Sequence, residues 1–218
     1  MREETLDFDL IVIAKEPVPG LSKTRLTPPL SPEEGASLAE AALADTLATA
    51  AEVPARRHIL VLDGSPGPWA PDGFEVFPQA EGGLDARLAA AFGTTQGPAL
   101  LIGMDTPQVT PKLLISSAQV LLADGRRAVL GPAEDGGWWV IGLAKPSPEV
   151  FLGVPMSTSE TCAAQIARLE ALGLEWAELP VLRDVDLIED ARAVTAENPG
   201  LRFSRRFAEI GRACTPAG

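Results

Sequence analysis

Apolar residues in this chain fall into two alternating patterns: short β-branched runs, and longer stretches in which apolar positions recur every three or four residues. The first run, Phe8 to Ala14 (FDLIVIA), is continuous rather than alternating, as in a strand covered on both faces. It predicts a strand in the middle of a parallel sheet. His58–Leu62 and Pro98–Gly103 read the same way, Arg127–Leu130, Trp138–Leu143 and Glu175–Leu179 give further strands, and Phe74–Phe77 a short extended segment. Helical patterns lie between them. Ser31, Pro32 and Glu34 form a capping box at the head of a helix reaching about Ala50, with Ala39, Leu43, Leu47 and Ala50 along one face. Leu84–Phe92 is a short helix. Thr110 and Pro111 open another that runs to about Leu122, with Leu113, Leu114, Ala118 and Leu121 on its apolar side. Ser157 and Glu160 predict a second capping box for a helix ending at Gly173, and residues from Leu187 onward read as helical.

This alternation predicts an α/β protein: a three-layer α/β/α sandwich with a mostly parallel central sheet. At 218 residues, 46% hydrophobic and 22% charged, the chain has the material for one core, so a single domain spanning 1–218 is expected, with a helical tail from 199. No apolar run approaches the roughly 20 residues of a membrane helix, and MREETLDFDLIVIAKE lacks the basic start and long apolar centre of a signal peptide. A cytoplasmic location is expected. A net charge of −12 works against nucleic acid, whose binding rests on clustered Lys and Arg. Cys162 and Cys214 are too few and too far apart for a disulfide framework or a four-thiolate metal site, and both read as free thiols. The single histidine, His58, opens a strand and reads as structural.

In open α/β sheets ligands bind beyond the carboxyl ends of the strands, which directs attention to the residues after each run. After the first comes KEPVPGLSKTRLTPPL, whose prolines forbid regular structure and whose Lys15, Lys23 and Arg25 stand against a single acid, Glu16. Such a loop suits phosphate, Lys as a point charge and Arg as a fork, although a solvated basic loop has the same composition. It is not a Walker A loop, because Ser22 stands where the glycine before Lys23 would be required. Asp105, directly after a buried strand, suits Mg²⁺ and equally suits a turn. Asp135 with Gly136 and Gly137 allows close backbone approach to a ligand, and is also an ordinary hairpin turn. Asp184 and Asp186 precede a helix, where capping accounts for acids. Trp138 and Trp139 are adjacent, so a strand turns one to the core and the other to the opposite face.

Taken together, AKEPVPGLSKTRL, LIGMDTPQVT, GPAEDGGWWVIGL, the Ser157–Thr158 step and RDVDLIEDA resemble, in this order, the GT-A-fold nucleotide-diphospho-sugar transferases. Within these they are similar to a bacterial glycosyltransferase group of unknown function, and more distantly to phosphoenolpyruvate guanylyltransferases and molybdenum-cofactor nucleotidyltransferases. The resemblance covers roughly residues 8–195. It implies a transferase in which Lys15, Lys23 and Arg25 contact nucleotide phosphates and Asp105 is the metal-binding acid, catalytic together with Asp135. It further implies that Gly136, Gly137 and Trp138 lie on the acceptor side, and that Asp186 is either a second ligand to Mg²⁺ or Mn²⁺ or a helix-entry residue. The implied partners are a nucleotide or nucleotide sugar and a small-molecule acceptor, with glycosyl and nucleotidyl transfer both open. The chain departs from the family's usual pattern at Met104 and Thr106, which flank Asp105, and at Trp138 and Trp139, which replace tyrosines. A non-catalytic nucleotide-binding protein on the same scaffold, or a thiol enzyme built on Cys162, are the readings of other classes.

Overall fold

The computed structural model describes residues 5–123, 125 and 127–213; Cys214 therefore lies outside the described residues. The strands are β1 (Leu6–Lys15), β2 (Ala55–Asp63), β3 (Phe74–Pro78), β4 (Ala99–Ile102), β5 (Ala128–Pro132), β6 (Trp138–Leu143) and β7 (Trp176–Glu178). They form one seven-stranded sheet in the order β3-β2-β1-β4-β6-β5-β7. Every pairing is parallel except those of β6, which runs antiparallel to both β4 and β5. β1 lies inside the sheet, paired in parallel with β2 and β4, as its unbroken apolar run requires.

The helices are α1 (Pro32–Ala51), α2 (Leu84–Phe92), α3 (Pro111–Leu122), α4 (Thr161–Ala171), α5 (Ile188–Glu197) and α6 (Arg202–Ala213). The side-chain alternation of β1 divides the core in two. Leu10, Val12 and Ala14 face α1 and α3, packing with Leu43, Leu47, Leu114 and Leu121. Ile11 faces the other way, toward Leu88 and Phe92 of α2 and Leu169 of α4. A third cluster joins the outer side of α1 to α5 and α6, with Leu26, Leu38, Val185, Val194 and Phe203 fully or almost fully buried. The sheet is thus covered by helices on both faces. Among the described residues no helix is long and apolar enough to cross a membrane.

Two local signals behave differently. The Ser31 box forms in full: Ser31 Oγ accepts from Glu34 N–H, and Glu34 Oε2 accepts from Ser31 N–H. The Ser157–Glu160 box does not form, and α4 begins only at Thr161. Ser157 instead has left-handed backbone (φ 59), and Thr161 Oγ1 accepts from Thr158 N–H. The reason is tertiary: the 157–160 turn is pressed onto Gly136, where a Cβ would fall 2.0 Å from the Ser159 carbonyl oxygen. His58 is structural, as expected, its Nε2 hydrogen-bonded with the Val53 carbonyl oxygen.

Candidate functional site

The parallel strands end along one edge of the sheet, and the segments that leave them enclose a cleft of about 800 Å³. β1 delivers Lys15 and the Lys23–Arg25 loop, β4 delivers Gly103 to Thr106, and the hairpin between β5 and β6 delivers Asp135, Gly137 and Trp138. The fourth wall is a strap at residues 182–186. It is tied to the hairpin by Glu134 N–H on Leu182 O (3.0 Å) and to the β4 loop by Val185 N–H on Asp105 O (2.8 Å). Val185 sinks into the third cluster, and its neighbours Asp184 and Asp186 line the cleft, the alternation expected of an extended segment.

Charges of both signs meet here. Lys23 Nζ lies 2.5 Å from Asp105 Oδ1 and also donates to the Val185 carbonyl. Its side chain is 6% exposed, whereas that of Arg25, paired at 3.0 Å with Asp186, is 67% exposed. The backbone of Lys23 is left-handed (φ 51), and it shares that state with Ser157 alone among the described non-glycine residues. Both line the cleft, and such backbone strain gathers at functional sites.

Asp184 Oδ1 is fully buried without a hydrogen-bond partner. Burial pushes its carboxyl up to about 7; the charges of Asp105, Asp135 and Asp186 push the same way, and Lys23 opposes them. Asp186 is raised as well, by burial first, with Lys23 drawing it down, Asp105 raising it and Arg25 lowering it. The cleft therefore sets four aspartates, Asp105, Asp135, Asp184 and Asp186, against four cations, Lys15, Lys23, Arg25 and Arg87, and the acids crowd most closely around Asp184.

Of the residues singled out from sequence, Lys15, Lys23, Arg25, Asp105, Asp135, Gly137, Trp138 and Asp186 all line this cleft. Gly136 turns to Ser159 instead and supports the turn from beneath. Asp135 also makes the turn: its Oδ1 accepts from Gly137 N–H at 2.8 Å. Trp138 and Trp139 pack against opposite core clusters, Trp139 with its indole N–H on the Pro180 carbonyl, and both contribute to the cleft wall. Asp186 does not cap α5; that task falls to Asp190, whose carboxylate accepts from Leu187 N–H. Cys162 is a free thiol whose pKa burial raises, the opposite of an activated nucleophile.

Asp184, which capping was expected to account for, also lines the cleft, and sequence reasoning missed Gln79 and Arg87 at its α2 side. Arg87 donates to Asp63 (2.8 Å) and Gln79 (3.1 Å), and Gln79 to the Ala14 carbonyl.

An α/β sheet of this order, with its cleft at the strand ends, is the fold of nucleotide-diphospho-sugar transferases. A Desulfovibrio desulfuricans G20 protein assigned by inference to that class superposes with a TM-score of 0.80 at 24% identity, over 96% of this chain and 95% of its own. CMP:2-keto-3-deoxy-manno-octonic acid synthetase complexed with CTP superposes at 0.58 and 12% identity, over 88% of this chain and 99% of its own. 2-C-methyl-D-erythritol 4-phosphate cytidylyltransferase from Thermus thermophilus gives 0.52 and 14%, over 92% and 98%. Residues 36–158, more than half of the chain, match one family, and the chain belongs to it: the uncharacterized proteins conserved in bacteria designated DUF2064. No curated protein sequence matches.

Proposed function

We propose that the chain is a nucleotide-dependent transferase that moves a sugar from a nucleotide sugar to the hydroxyl of a small acceptor, with Mg²⁺ or Mn²⁺ held at Asp105 and Asp186. The observation that carries this reading is the opposition, across one cleft, of a basic loop and aspartates from three separate segments. The donor set suits a hard cation: carboxylate oxygens only, one of them the buried, unpartnered Oδ1 of Asp184. Among the described residues no three acids, histidines or cysteines stand close enough to form a ready-made cage.

A bound cation stabilises negative charge developing on the diphosphate. Lys15 and Arg25 meet the phosphates from the open side of the cleft, Arg25 with a fork that matches two oxygens. Asp135, one oxygen of which is engaged by Gly137, has the other to accept a proton from the acceptor hydroxyl, while Gly137 and Trp138 orient that acceptor.

A second reading, nucleotidyl transfer with loss of pyrophosphate, is favoured by the number of cations. Lys15, Lys23 and Arg25 with Arg87 beyond them exceed what a diphosphate needs and suit a triphosphate. Solved cytidylyltransferases share the fold. Thermal shifts with Mg²⁺ or Mn²⁺ against panels of nucleotide sugars and nucleoside triphosphates separate the two. A ligand at 100 times its Kd adds about 2.7 kcal/mol, on the order of 5–10 °C for this size. Metal-dependent stabilisation by a nucleotide sugar supports glycosyl transfer and names the donor, a response to triphosphates alone supports nucleotidyl transfer, and no response from either panel overturns both. With the donor in hand, Asp105→Asn is expected to abolish turnover. Binding without product under every donor and acceptor tried favours a non-catalytic nucleotide-binding protein.

A further inference from the structure

We infer that the ammonium of Lys23 and a divalent cation compete for the carboxylate of Asp105, so that polyphosphate enters first and the metal second. The inference rests on the proposed role of Asp105 as the metal-holding acid, and it concerns what the chain does before any metal arrives.

Three observations carry it. Lys23 Nζ sits on Asp105 Oδ1 at 2.5 Å and on the Val185 carbonyl, two oxygens from different walls of the cleft. A second cation brought against the same oxygen meets a like charge at contact range, from an ammonium that is itself withdrawn from water although the Asp105 side chain is 45% exposed. Next, the cations of the basic loop are unequally available. Lys23 is 6% exposed and Arg25 67% exposed, so an incoming polyphosphate meets Arg25 and the exposed Lys15 while Lys23 is withheld. Finally, the backbone of Lys23 is fixed within the loop, whereas its side chain is held at the ammonium by the Asp105 and Val185 oxygens. The left-handed residue (φ 51) is locked by Leu26 N–H on its carbonyl (2.9 Å), and Leu26 is fully buried in the third cluster. Movement therefore falls to the four-carbon stem, whose ammonium turns between partners without disturbing the loop. Phosphate oxygens supply the alternative partner that draws the ammonium from Asp105 and leaves the carboxylate to the metal.

The competition is read without turnover, as Mn²⁺ binding followed by the paramagnetic resonance signal of the free ion, with pyrophosphate as the polyphosphate probe. Lys23→Gln is expected to bind Mn²⁺ alone about tenfold more tightly than the native chain, and Lys23→Arg, which keeps the charge, to stay near the native value. Pyrophosphate is expected to tighten Mn²⁺ binding more in the native chain than in Lys23→Gln, since only the native chain has an ammonium to displace. Lys23→Met repeats the test should Lys23→Gln fail to melt cooperatively. If both neutral variants bind Mn²⁺ alone no more tightly than the native chain, while Asp105→Asn loses the metal, the competition is overturned and the reading of Asp105 stands. If Asp105→Asn binds Mn²⁺ as the native chain does, with and without pyrophosphate, the metal role of Asp105 fails and the competition fails with it.

Discussion

Asp9 and Asp184 each hold carboxylate oxygen out of water, at opposite ends of the sheet, and their surroundings differ in kind. Asp9, near the start of β1, is 0% exposed, yet its two oxygens accept from Arg56 Nε (2.9 Å), Arg57 Nη1 (3.4 Å) and the Gln96 backbone N–H (2.9 Å). Arg57 is in turn held by a two-pronged pair with Glu75. Asp184, on the strap at the carboxyl end of the sheet, has one oxygen with no partner and three further aspartates raising its pKa. A charge buried for architecture arrives with its partners from the same fold. A charge buried for function is left with unmet demand, to be satisfied by something the chain itself does not supply.

The contrast breaks most visibly at the architectural end. Asp9→Asn leaves two guanidinium groups without their shared carboxylate and is expected to cost about 3–5 kcal/mol in a denaturant melt, with Mn²⁺ binding at the cleft unchanged. A loss below about 1 kcal/mol would remove the distinction. The functional end is expected to move the other way. Because the folded pKa of Asp184 lies above its unfolded value of 3.8, the native state holds the extra proton between about pH 4 and 7. Stability therefore falls as pH rises through that window and levels off above it. Asp184→Asn is expected to gain about 1–2 kcal/mol at pH 8, to flatten the profile between pH 4 and 7, and to weaken Mn²⁺ binding in the presence of pyrophosphate. Thermal melts across pH read all but the last of these. Arg25→Met sharpens the comparison at its smallest scale: its pair with Asp186 is largely exposed, so stability is expected to stay within about 0.5 kcal/mol. Pyrophosphate affinity, measured calorimetrically, is expected to fall about tenfold, since a charge-assisted contact to phosphate is lost.

Much of the frame was legible because local and tertiary demands agree there. The Ser31 box, the Pro111 helix start and the runs that became β1, α2 and β6 were read to within a residue or two, since each is specified by contacts a few positions away. The Ser157–Glu160 signal failed because a neighbour distant in sequence, Gly136, decides how that turn lies. The cleft was legible as a set of candidate loops and not as a site. Nothing in RDVDLIED says that Asp190 takes over capping and frees Asp186 for Arg25, or that burying Val185 drives Asp184 into the cleft. Arg87 was invisible for a similar reason, being one cation on an ordinary helix until β2 and β3 bring Asp63 and Gln79 to it.

The ion pair between Arg25 and Asp186 spans 161 residues of chain, and the bond from Lys23 to Val185 spans 162. On a ribosome, which extends a chain by about 5–20 residues per second, the basic loop thus waits roughly ten to thirty seconds for the strap. Asp105, the carboxylate partner of Lys23, lies only 82 residues on, so Arg25 waits longest for its acid, and until the strap is made the cleft has three walls. The fourth wall of the cleft is therefore the last to be synthesised, together with the two helices that pack with it on α1.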